Sequence, residues 1–226
     1  MSVAENYAKI KQKVEEACKR VGRNPNEVTI MAVTKTQPCE KINQAVELGI
    51  TQLGENRVQE LLTKYDSIKA GATWHLIGSL QTNKVKYIAD KVCMIHSVDS
   101  IRLAEEIDKQ CKKINKVMDI LIEVNVSGEE TKHGISPCEV ESFIKDLSHL
   151  KNICISGFMT MAPFDAPEDE IRAVFANLYK MYVDISQKKY DNINMRYLSM
   201  GMSNDFEIAV EEGANIVRIG TSLFKD

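Results

Sequence analysis

The chain has 226 residues, 44% of them hydrophobic and 27% charged, with a net charge of −3. This length allows one large domain or two small ones, and the charge excludes a non-specific nucleic-acid binder. No apolar stretch approaches the roughly 20 residues of a membrane span, and the opening MSVAENYAKIKQK turns charged too early for a secretory signal.

Six cysteines are scattered without a C-x-x-C pair, and the four histidines lack ligand spacing. Both patterns fit reduced, mostly structural thiols in the cytoplasm and argue against zinc.

In chain order, residues 3–22 carry an apolar stripe of Val3, Tyr7, Ile10, Val14, Ala17 and Val21, which predicts a helix. VTIMAVT (28–34) predicts a buried strand that ends on Lys35 and Pro38. A helix over 39–49 follows, with Ile42, Ala45 and Val46 on one side, then a strand over 51–55 and a helix over 56–68. TWHLIG (73–78) and VCMIHSV (92–98) predict strands, with a short helix over 81–90 between them. A helix over 100–113, a strand over 119–125, a helix over 136–150 and a strand over 153–159 come next. MAPFDAPED (161–169) reads as a longer loop. The remainder predicts a helix over 167–188, a strand over 195–201, a short helix over 205–212 and a strand over 215–220.

Eight strands, several continuously apolar and separated by helices, predict a single (β/α)8 TIM-type barrel spanning residues 1–226; an open doubly wound sheet is the competitor. The sequence stops six residues after the last strand, so no eighth outer helix is expected there. The N-terminal helix is expected to cover that gap.

Chemistry in such barrels gathers at the C-terminal strand ends. Those ends carry Thr34 and Lys35; Glu55 and Asn56; His75; Glu123; Thr160; Ser199 to Ser203; and Arg218, Gly220 and Thr221. SMGMSNDF (199–206) and RIGTS (218–222) place small and hydroxylated residues where phosphate is held after strands seven and eight. Arg218 interrupts an apolar run, so it must meet an acceptor: a carboxylate such as Glu55 or Glu123, or a ligand atom. A lysine facing a phosphate cradle suits a phosphorylated aldehyde held as a Schiff base, either pyridoxal 5′-phosphate or the substrate of a phosphosugar aldolase. Trp74 and His75 read as packing and supporting residues. Lys132 reads as a surface lysine, with a transient cofactor acceptor as the alternative.

The stretches AVTKTQP (32–38), GENRVQE (54–60), WHLIGSLQTNK (74–84), GFMTMAP (157–163), LSMGMSNDFEIAV (198–210) and VRIGTSLF (217–224) cover the chain almost end to end. On these the chain resembles the pyridoxal 5′-phosphate homeostasis protein family. The resemblance implies a type III pyridoxal-phosphate fold, a single barrel related to the N-terminal domain of alanine racemase. It implies a Schiff base on Lys35 and Asn56 beside the cofactor ring. It implies phosphate contacts from Ser203, Gly220 and Thr221, an Arg218 partner for the pyridine nitrogen, and Ser199 and Met200 as further neighbours. No catalytic residue is expected, because no second acid/base is evident. The expected role is binding pyridoxal 5′-phosphate and taking part in its homeostasis, by buffering or by delivery to apoenzymes, as a monomer; a weak racemase-like enzyme is the alternative.

Overall fold

The computed structural model describes residues 2–129 and 133–225; Lys132 therefore lies outside the described residues. Eight parallel strands close into a barrel in sequence order. They are β1 (Thr29–Val33), β2 (Gln52–Glu55), β3 (Thr73–Leu76), β4 (Val92–Val98), β5 (Met118–Glu123), β6 (Ile153–Met159), β7 (Ile193–Ser199) and β8 (Ile216–Ile219). The helices are α1 (Val3–Arg20), α2 (Cys39–Glu47), α3 (Val58–Lys64), α4 (Ile101–Lys113), α5 (Val140–Leu147), α6 (Glu168–Ser186), α7 (Phe206–Glu211) and α8 (Thr221–Phe224).

The sequence stripe on α1 needs adjustment. Its buried residues are Val3, Asn6, Ile10, Val14, Ala17 and Cys18, whereas Val21 lies past the helix end and is exposed. Asn6 is buried because its Nδ2 donates to the carbonyls of Leu223 (3.0 Å) and Lys225 (2.8 Å). α1 packs against α2, α7 and α8, so it covers the seam where β8 meets β1. The end of the chain also holds a single helical turn, α8, where no helix was expected.

The helix expected over 81–90 is instead a 3-10 turn, Thr82–Tyr87. Val85 within it and Ile88 just past its end are three apart, bonded N–H to carbonyl at 3.1 Å, and both fully buried. Three residues per turn stacks such a pair on one side.

Inside the barrel, Met94, Leu121 and Met159 form a small cluster of their own with Tyr197 against it. Gly157 is required beside it. Its φ is +152°, and a Cβ there would sit 1.8 Å from the Tyr197 carbonyl oxygen, so only glycine lets β6 approach β7 this closely. The much larger apolar layer lies between strands and helices.

Candidate functional site at the barrel mouth

Lys35 follows β1 and is exposed. Among the described residues, nothing accepts a hydrogen bond from its ammonium. Its backbone, by contrast, is gripped on both sides by α3. Lys64 Nζ donates to the Thr34 carbonyl at 2.8 Å, and the Thr36 N–H donates to Glu60 Oε1 at 2.9 Å. Thr36 has φ +62°, a left-handed conformation that costs a β-branched residue on the order of 1–3 kcal/mol. The Glu60 contact holds that conformation, and Lys35 is thereby held between two fixed neighbours.

Glu55 and Thr34 do not face the mouth. Glu55 Oε2 accepts from Lys64 Nζ (3.0 Å) and Thr34 Oγ1 (2.7 Å), while Oε1 accepts from the Asn56 N–H (2.8 Å). This buried network sits between β2 and α3 and ties the ends of β1 and β2 together. Glu55 is therefore not the acceptor for Arg218.

Asn56 continues from β2 and is half-buried. Its Oδ1 is buried without a hydrogen-bond partner among the described residues. A buried amide oxygen left unpaired costs about 1–3 kcal/mol, so this atom is suited to accept from a bound ligand.

Arg218 is in register with Met31 on β1 and is almost wholly buried. Its guanidinium reaches over the end of β7, donating to the Ser199 carbonyl (2.6 Å), Ser199 Oγ (2.8 Å) and the Thr160 carbonyl (2.9 Å). The sequence left a carboxylate or a ligand atom as its acceptor; within the chain, these three bonds go to two main-chain carbonyls and a hydroxyl. Burial lowers Arg218 to about 10, while Asp205 and Glu123 pull the other way. It remains a cation at neutral pH.

The two turns that leave β7 and β8 meet directly. Ser203 Oγ accepts from the Ser222 N–H (3.2 Å) and bonds the Ser222 hydroxyl (3.1 Å). Ser222 was visible in RIGTS but was not singled out. Gly220 and Thr221 open α8, and a helix start leaves its first N–H groups without intrahelical partners. A Cβ on Gly220 would meet Val33 Cβ at 3.3 Å. Lys35 therefore leaves the sheet two residues beyond the residue that touches Gly220, which puts the lysine and the glycine–threonine turn on one stretch of rim. Gly201 (φ +90°) shapes the other turn, since a Cβ there would lie 2.5 Å from Ala209 Cβ on α7. Met200 is fully buried in the outer apolar layer, so only its main chain is at the rim; its N–H donates to the Ile216 carbonyl at 3.2 Å.

Glu123 closes β5, in register with Met159. Burial, then Asp99, pushes its carboxyl up to about 7, against the opposing pull of His133 and Arg218. Between its ordinary 4.5 and about 7, the folded chain keeps a proton that the unfolded chain loses. Stability therefore falls as pH rises through that window. Glu123→Gln is expected to gain up to about 3 kcal/mol over the parent at pH 8 and almost nothing at pH 4.5. Urea unfolding of both ligand-free proteins at the two pH values checks this; an equal difference at both would refute it.

Against this geometry, residues 5–226 match the family described as alanine racemase, N-terminal domain. A protein of Aquifex aeolicus named pyridoxal phosphate homeostasis protein is 44% identical over 225 residues, covering 99% of this chain and 98% of that one. The chain belongs to the pyridoxal phosphate homeostasis protein family. Among solved structures, PipY of Synechococcus elongatus with PLP bound matches with a TM-score of 0.82 at 32% identity, over 94% of this chain and 99% of that chain. Alanine racemase from Clostridium difficile matches with a TM-score of 0.73 at 17% identity, over 95% of this chain and 56% of that chain, a likeness of fold alone. This member of the pyridoxal phosphate homeostasis family thus corresponds in extent to the barrel part of the racemase structure. Among its described residues no helix is long and apolar enough to cross a membrane, and no His, Cys, Asp and Glu cluster could hold a metal.

Proposed function

We propose that this chain binds pyridoxal 5′-phosphate as a Schiff base on Lys35 and serves its storage and delivery within the cytoplasm. The observation that carries the reading is an unpartnered lysine ammonium on a clamped backbone, on the same rim as the Gly220–Thr221 turn. The family name and the PLP-bound neighbour support it.

The residues present fit the cofactor. The orphaned Asn56 Oδ1 offers an acceptor beside the ring. Ser203, Gly220 and Thr221 supply hydroxyls and main-chain N–H groups for the phosphate. Arg218 supplies a donor for the pyridine nitrogen, with Ser199 holding it; Met200 contributes main chain next to Ser199. When bound, the cofactor supplies a reactive aldehyde and an aromatic ring that can withdraw electrons. Lys35 would hold the cofactor through its amine. Arg218, which keeps its own proton, would leave the ring nitrogen without one and so weaken the ring as an electron sink. That suits a carrier. Curated relatives are named as homeostasis proteins rather than as enzymes. We place the whole chain in this role as one cofactor-binding domain, acting as a monomer, with apoenzymes that need the cofactor as recipients.

The test is borohydride reduction of the chain loaded with pyridoxal 5′-phosphate, followed by peptide mapping. The reduced label is expected on the peptide carrying Lys35. A label on another lysine, or none, would refute the assignment.

A further inference from the structure

A line of polar side chains runs through the barrel. At the mouth, Arg218 Nη1 donates to Ser199 Oγ (2.8 Å). Ser199 Oγ lies 2.9 Å from His96 Nδ1, His96 Nε2 lies 3.0 Å from His75 Nδ1, and His75 Nε2 lies 2.7 Å from Gln52 Oε1. Ser199 is the last residue of β7, whereas Gln52 is the first of β2. The line therefore spans the barrel from its C-terminal mouth to its N-terminal end, where Thr73 Oγ1 donates to Gln52 Oε1 (2.9 Å) and Cys93 Sγ approaches His75 Nε2 (3.2 Å). Ser199, His75 and His96 are all buried.

The protons in this line have one satisfying arrangement. A guanidinium only donates. Ser199 Oγ, having accepted from it, has one proton to give, and His96 Nδ1 is the acceptor within reach. A proton on His96 Nδ1 would strand the Ser199 hydroxyl in the interior, and buried polar groups are rarely left so. His96 thus carries its proton on Nε2 and donates to His75 Nδ1. His75 in turn carries its proton on Nε2 and donates to Gln52. Both rings are neutral: burial lowers His75 to about 4 despite Asp119, and burial, His75 and Arg218 together hold His96 well below its ordinary value.

Resting on the cofactor reading above, we propose that His96 and His75 are positioning residues for that site. Through Ser199 they form a one-way hydrogen-bond chain that fixes the Arg218 guanidinium where it meets the ring nitrogen. An imidazolium in place of His96 would repel Arg218 and deprive the Ser199 hydroxyl of its acceptor. The site's one buried arginine is therefore oriented by residues that never touch the ligand.

The first test needs no cofactor. Imidazole nitrogen NMR of the full chain at pH 7 is expected to show both His75 and His96 protonated on Nε2 alone, and unchanged on acidification to pH 6. An Nδ1 proton on His96 would overturn the chain, whether or not pyridoxal 5′-phosphate binds. The second test loads variants with pyridoxal 5′-phosphate. His75→Leu strands the His96 Nε2 proton; retention of the cofactor is expected to weaken by about 3- to 10-fold, the worth of one hydrogen bond. The pH profile of the bound cofactor's absorbance is expected to shift as well. His75→Asn keeps an acceptor near the Nδ1 position and should restore most of both. If His75→Leu fails to fold, His75→Asn and the nitrogen spectra still decide. Retention and a pH profile equal to the parent's in His75→Leu would overturn the positioning role. Failure of the parent to take up cofactor, with the expected tautomers present, would refute the cofactor reading and leave the chain standing.

Discussion

Lys35→Ala is expected to abolish the borohydride-stable label and to let bound pyridoxal 5′-phosphate leave on dialysis. The covalent bond needs an amine at the mouth, and the nearest alternative on the clamping helix is spent. Lys64 is buried and bonded to the Thr34 carbonyl and Glu55. The Gly220–Thr221 turn and Arg218 survive the substitution, so residual reversible binding is expected, weaker by at least two orders of magnitude, or about 3 kcal/mol. Dialysis against buffer with absorbance readout, on parent and variant, measures it. Equal retention, or a label surviving in Lys35→Ala, would show that another amine carries the cofactor.

Lys64→Met is expected to be the most destabilising substitution near the site. It leaves buried Glu55 with Thr34 Oγ1 and the Asn56 N–H as donors and with the Glu60 carboxyl group beside it. Removing one partner of a buried ion pair costs about 3–5 kcal/mol, whereas removing both charges is often close to neutral. For a chain of this size that loss lowers Tm by about 10 °C. The double variant Lys64→Met/Glu55→Gln should recover most of it, because it removes the stranded charge. Thermal unfolding of the three proteins gives the answer; a Lys64→Met Tm within about 1 °C of the parent would mean that water, not Lys64, satisfies Glu55. Lys64→Met also frees the Thr34 carbonyl next to Lys35, so cofactor retention should fall in the single variant.

The barrel was legible because its strands are short apolar runs at regular intervals, and β4 and β6 keep the bounds read from the sequence. The candidate residues at the rim were legible because strand ends are where such barrels expose chemistry. What the sequence did not reveal is which face of the strand each polar residue takes. Thr34 and Glu55 sit at strand ends like Lys35 and Asn56, yet they turn outward to α3. Lys64 lies on a helix whose polar side reads as solvated, and nothing in its spacing announces burial. His75 and His96 belong to different strands, 21 residues apart; only the register of β3 and β4 brings them into contact. Two of the three Arg218 acceptors escaped the reading because carbonyl oxygens carry no side-chain signature.

The bonds from Asn6 to Leu223 and Lys225 join residues 217 and 219 positions apart. Helix α1 therefore docks on residues that are made long after it. Until then the β1 edge has no β8 to pair with, and the apolar side of α1 has only part of its cover. Closure depends on contacts of very long sequence separation, which slows folding relative to a fold built on local contacts. Until β8 is made, the nascent chain carries an open sheet edge on β1, the kind of intermediate that chaperones recognise.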